Sequence, residues 1–230
     1  MKKIKLVSQV LFLMILGAPF SSFAGSEGGG GGTSVVYKEQ RLLIDLLSIP
    51  SLVEGGLGYK SSKSPLTEAK HTLNNWSNDI FAIGSLQAAS ALRSGIQWSM
   101  VDESIPLSKR YYSNTGINFY EPKTIAYYQE KGRKFFVKIS KSGFEELSFV
   151  SQVALYVHEA LRHVQIGWSN TNDNLSERAL QEATAIFVLC KPSSELNMYV
   201  NYLMQYGYKY TESIYGNSKE FVENSCEEKL

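Results

Sequence analysis

The chain has almost no surplus charge of either sign: 23 Lys and Arg stand against 22 Asp and Glu in 230 residues. A balance this close to neutral argues against a nucleic-acid partner, which is held through a basic surface. Beyond the first two dozen positions there is also no apolar run near the ~20 residues that a membrane span needs. No cysteine follows that first stretch at the position where a lipoprotein is acylated, so a lipid anchor is not expected. The group Gly55-Gly56-Leu57-Gly58 lacks the Gly-Lys-Ser/Thr ending and flanking strand of a phosphate loop. Cysteine is limited to Cys190 and Cys226, which either staple the tail to the end of a helix or remain two thiols. Of the three histidines, His71 reads as a surface or packing residue, and the other two lie close together at 158 and 163.

What is present begins with an export signal. Lys2, Lys3 and Lys5 precede the apolar stretch 6–20, and Ser22-Phe23-Ala24 places small residues at both cleavage-determining positions, so 1–24 reads as a cleaved signal peptide. The expected destination is the periplasm or the exterior. Cleavage removes three lysines and no acid, leaving 206 residues with 20 basic and 22 acidic side chains. Such a length suits one domain with a real core. Residues 25–36 open with a glycine run and are expected to be a disordered leader, and 37–230 is expected to form a single α+β domain.

Within it, 37–47 has helical spacing in its leucines and 49–63 reads as loop. Residues 65–93 suit a helix, broken near Gly84, with Leu66, Leu73, Trp76, Ile80, Ile83 and Leu86 toward the core. From 95 to 143 the character changes to short, β-branched and aromatic runs at 96–101, 117–120, 124–129 and 134–140, with 130–133 as a hairpin turn. Tyr111, Tyr112, Phe119, Tyr120, Tyr127 and Tyr128 suit either cross-strand packing or a groove for peptide or glycan. A last helix is expected over 194–206, with Met198, Leu203 and Met204 in the core, before a charged tail.

The longest periodic run is 146–167. Val150, Val153, Ala154, Val157, Leu161 and Val164 recur at three- and four-residue steps and form one apolar stripe on a helix. A second helix follows over 174–190, with Leu175, Ala179, Glu182 and Ile186 on one face. The fold class is therefore α+β, predominantly helical, with a small antiparallel or mixed sheet ahead of a helix pair.

On the first of these helices, His158-Glu159-Ala160-Leu161-Arg162-His163 resembles the active-site helix of the zincin metallopeptidases. There, His-Glu-x-x-His points two imidazoles at one zinc and the glutamate polarises a metal-bound water. The resemblance implies zinc as cofactor, His158 and His163 as ligands, Glu159 as general base and a peptide or protein as substrate. The gluzincin branch takes its third ligand, a glutamate, from a following helix, and Glu182, nineteen residues after His163, looks like that position. Glu177 looks like the partner of Asn174 in a helix-start capping box.

The chain departs from the pattern by one residue. Imidazoles five apart sit about 140° around an α-helix and converge only across a π-bulge. Three arrangements follow. The helix is bulged and binds zinc; or Arg162 stands in the second-ligand place, paired to Glu182, in a protein that binds or supports without catalysing; or the likeness is accidental, with His158 a core histidine and Glu159 paired to His163.

Overall fold

The computed structural model describes residues 32–78, 82–105, 120–131, 134–168 and 173–227. The expected export segment 1–24, most of the glycine run, Ile80, most of the expected strand 117–120, and the aromatic residues 111, 112 and 119 lie outside the described residues.

The expected helix over 37–47 is a hairpin. Strands β1 (Thr33–Tyr37) and β2 (Gln40–Leu43) pair antiparallel, with Val35 opposite Leu42 and Tyr37 opposite Gln40. Lys38 and Glu39 turn the chain with φ of 47° and 65°, the left-handed geometry of a two-residue hairpin loop. The leader also ends sooner than its composition suggests. Thr33, Ser34 and Val35 are buried, and the Gly32 carbonyl accepts from the Ile125 and Ala126 amides. A Cβ at position 32 would collide with the Ala126 backbone, so the last glycine of the run is a docking point.

After β2 the chain tightens into a 3₁₀ turn, Ile44–Ser48, with Asp45 fully buried among leucines. Helix α1 (Pro50–Gly56) replaces the expected loop. The long helix expected over 65–93 is divided into α2 (Pro65–Trp76), capped by Ser64, and α3 (Ile83–Ser90), which ends in a π turn at Ala91–Gly95. Leu73 and Trp76 are fully buried, whereas Ile83 and Leu86 face solvent. The break rotates α3 away from the face that continuous helical spacing implies. His71 is exposed and meets Asn75 one helical turn on.

Strands β3 (Ile96–Val101), β4 (Tyr120–Thr124), β5 (Ala126–Lys131) and β6 (Lys134–Ser140) complete two three-stranded sheets, ordered β2-β1-β4 and β3-β6-β5. The first is antiparallel; the second is mixed, since β3 runs parallel to β6. Arg41 of β2 reaches across the first sheet to Glu121 of β4 at 3.1 Å and out of it to Glu146 at 2.9 Å. The fold is thus α+β, with helix predominant.

After α4 (Lys141–Glu146) comes the motif helix α5 (Phe149–Trp168), with the Ser148 hydroxyl accepting from the Ser151 amide at its start. Its stripe from Val150 to Val164 is buried as periodicity requires. Helix α6 (Asp173–Leu189) packs against it, followed by α7 (Ser194–Tyr206), α8 (Tyr208–Tyr215) and α9 (Ser218–Ser225). Leu203 and Met204 are in the core; α8, pivoting on Gly207 at φ 74°, has no counterpart in the sequence reading. Cys190 and Cys226 form a disulfide that closes a 36-residue separation, worth roughly 4 kcal/mol against the unfolded chain on loop-closure grounds.

Candidate functional site

His158, the central residue of α5, is completely buried. Its Nδ1 meets Asp45 Oδ2 of the 3₁₀ turn in a short contact. On the other side of the ring, Nε2 faces Arg162, one helical turn on, at 3.0 Å from Nη2 and 3.3 Å from Nε. Arginine has donors and no acceptor, so Nε2 must carry its lone pair and the ring proton belongs on Nδ1. His158 is therefore a neutral imidazole that donates to Asp45 and accepts from Arg162. Burial, reinforced by the Arg162 charge, takes its pKa down to about 4, so its contact with Asp45 is a hydrogen bond and not an ion pair.

Arg162 is held from its far side by Glu177 at the beginning of α6, whose Oε2 lies 2.7 Å from Nη2. Glu177 Oε1 stands 3.9 Å from His158 Nε2. Glu159 adds a third acid, with Oε2 4.0 Å from Arg162 Nε. Burial opposes the charge on Arg162, but Glu177, Glu159 and Asp45 together push its pKa up. Burial drives Asp45 well above the ordinary carboxylate range and raises Glu159, with the Arg162 charge working against both shifts. One oxygen each of Asp45, Glu159 and Glu177 is buried without a hydrogen bond. The cluster thus gathers three acids around one guanidinium and one neutral imidazole, drawn from the 3₁₀ turn and from both helices.

The zinc set His158, His163 and Glu182 is not brought together. Helix α5 is α-helical throughout, without the π-bulge that convergence needs, so His163 leaves it on another face. There its ring packs edge-on to Phe135, centroids 4.2 Å apart, under the close approach of Gly95. Glu182, five residues beyond Glu177, is turned away for the same angular reason. It accepts from the Tyr208 hydroxyl at 2.6 Å and from Tyr199 at shorter range, and burial raises its pKa despite both bonds. Nor does Glu182 pair with Arg162: that place belongs to Glu177, whose carboxylate crosses to α5 where a capping box would send it back to its own helix start. Glu159 lies in the cluster but is not bonded to His163 in any contact described. Among the described residues no group of three or more His, Cys, Asp and Glu side chains is arranged to hold a metal ion.

The zinc ligation implied by the motif therefore does not fit these residues, because the free lone pair of His158 is already engaged by a permanent cation. Asp45 was missed by sequence reasoning. Its only signal was an isolated acid inside the apolar run 42–47, the kind of residue that is buried only with a partner.

No family model, curated protein or solved structure matches the chain.

Proposed function

We propose that the chain is an exported, non-catalytic protein built on a zincin-like helix pair in which the Arg162 guanidinium takes the position of the metal. The observation that carries the reading is the placement of Arg162 Nη2, 3.0 Å from His158 Nε2 and 2.7 Å from Glu177 Oε2. These are a neutral imidazole lone pair and a carboxylate on two adjacent helices, the groups a divalent cation would seek. The outer ring nitrogen of His158 is bonded to a carboxylate, as it is in histidines that ligate metals. Compensation of the buried acids by a residue of the same chain suits a protein that binds or supports. Export is supported by the basic and apolar start of the chain and by the Cys190–Cys226 disulfide.

Elemental analysis of the purified mature protein tests this reading. The wild type is expected to carry no stoichiometric zinc after incubation with excess metal. Arg162→His restores the four-residue imidazole step beside Glu177 and is expected to gain about one zinc per chain. One zinc per wild-type chain, lost on His158→Ala, would return the protein to the metallopeptidases.

A further inference from the structure

The sheet β3-β6-β5 has two unlike faces. On one, Trp98 packs edge-on to Tyr156 and Phe135 to His163, which seats the sheet on α5, and Val137, Ile139, Ala126 and Tyr128 are buried. Alternation along the strands sends Gln97, Ser99, Lys134, Phe136, Lys138, Tyr127 and Gln129 to the opposite face. All seven retain exposure, and neither Phe136 nor Tyr127 joins the core.

The register arranges these side chains in rows. Phe136 lies between Gln97 on β3 and Gln129 on β5; Lys138 lies between Ser99 and Tyr127. With strands ~4.8 Å apart, each row spans roughly 10 Å. The Lys138 ammonium sits 5.6 Å from the Tyr127 ring centroid. Among the described residues neither Lys134 nor Lys138 forms an ion pair; Glu103 influences Lys138 without bridging to it.

We infer that this outward face, with Phe136 between Gln97 and Gln129 and flanked by Lys134 and Lys138, binds an acidic polysaccharide. An aromatic ring offers a flat apolar surface to the C–H face of a sugar ring, primary amides and a hydroxyl serve both donor and acceptor hydroxyls, and the ammonium groups of Lys134 and Lys138, the latter held beside Tyr127, meet carboxylates. An extended chain of rings matches a row of side chains on a sheet. Single-stranded nucleic acid shares the stacking and the negative charge; the proposed export favours the polysaccharide, because glycans and not nucleic acids are the polymers met outside the cytoplasm, and oligodeoxythymidine is therefore one arm of the test. The inference rests on the proposed export for the compartment in which the ligand is met. It is independent of the Arg162 cluster, which faces the other side of the sheet's supporting helix.

The test is titration of the full mature protein with a soluble polyuronate, with neutral dextran and with oligodeoxythymidine. The polyuronate is expected to bind, more weakly as salt rises, and dextran to bind at least about tenfold less well. Phe136→Ala and the double variant Lys134→Glu/Lys138→Glu are each expected to lose about tenfold in affinity, while keeping the wild-type circular dichroism and melting temperature because the side chains point outward. Polyuronate binding that is absent in the wild type, unchanged in both variants, or weaker than oligodeoxythymidine binding overturns the inference. None of these variants touches residue 162, so the zinc experiment stands or falls separately.

Discussion

Asp45 accepts the Nδ1 proton of His158 across 113 residues of sequence, with both side chains wholly removed from solvent. This bond ties the 3₁₀ turn after the first hairpin to the middle of α5 and fixes the imidazole so that its lone pair faces Arg162. The guanidinium then reaches α6 through Glu177. Three elements are joined at one point, and the chemistry of each group depends on its neighbour.

Removing the acceptor separates that bond from the rest of the cluster. Asp45→Ala leaves a buried Nδ1–H without a partner and is expected to cost about 2 kcal/mol, a fall in melting temperature of roughly 4–8 °C for a chain of this size. Asp45→Asn retains a carbonyl oxygen at the same distance from the backbone and is expected to recover most of the loss. Equal melting temperatures for the two variants would mean that neither the shape of the side chain nor a neutral acceptor is what position 45 supplies, and that the carboxylate itself is required.

His158 gives the cluster a signature in acid. Its pKa falls from an ordinary 6.5 to about 4 on folding, so the unfolded chain takes up the proton first. The corresponding stability is complete above pH 6.5 and is lost as pH falls toward 4, amounting to roughly 3 kcal/mol. Asp45 and Glu159, both raised by burial, act in the opposite sense: they favour the folded state at low pH and that contribution is lost as pH rises through their folded values. Urea denaturation of the wild type at pH 7 and pH 4.5 is compared with His158→Asn, which keeps a donor but cannot titrate. The variant is expected to show a much smaller loss between the two pH values. A loss as large as that of the wild type would assign the acid sensitivity to another group.

Periodicity made the helix pair legible. The stripe from Val150 to Val164 located α5, and the run 134–140 matched β6 residue for residue. Chemistry within the pair was less legible, because the apolar pattern fixes which face a residue occupies only to within a fraction of a turn. Glu177 and Glu182 are both acids near the inner face of α6, yet five residues of helix separate their directions, and only the packing angle between α5 and α6 selects Glu177. Asp45 was hidden for a different reason: its partner is distant in sequence, and no local pattern encodes that pairing. The glycine leader misled through composition, since Gly32 is needed for close approach to Ala126 and not for freedom.

The first hairpin was hidden by its turn. Two-residue loops of this kind normally announce themselves with Asn-Gly, whose residues reach positive φ at little cost. Here Lys38 and Glu39 occupy that geometry, and side chains with a Cβ are strained in it. Among the described residues the compensation consists of the ion pair of Lys38 with Glu54, both about half exposed or more, and the Lys38 ammonium 5.5 Å from the Tyr37 ring centroid, and exposed contacts of this kind contribute little. Replacing Lys38-Glu39 with Asn-Gly is therefore expected to stabilise the protein by about 0.5–1 kcal/mol. The gain is read as a higher urea midpoint at unchanged m-value, since the burial of the hairpin is the same in both proteins. The single change Lys38→Ala controls for the lost ion pair and should move the midpoint little. A lower midpoint for the Asn-Gly variant, with Lys38→Ala unchanged, would show that the Lys38-Glu39 turn is held by contacts stronger than its backbone strain.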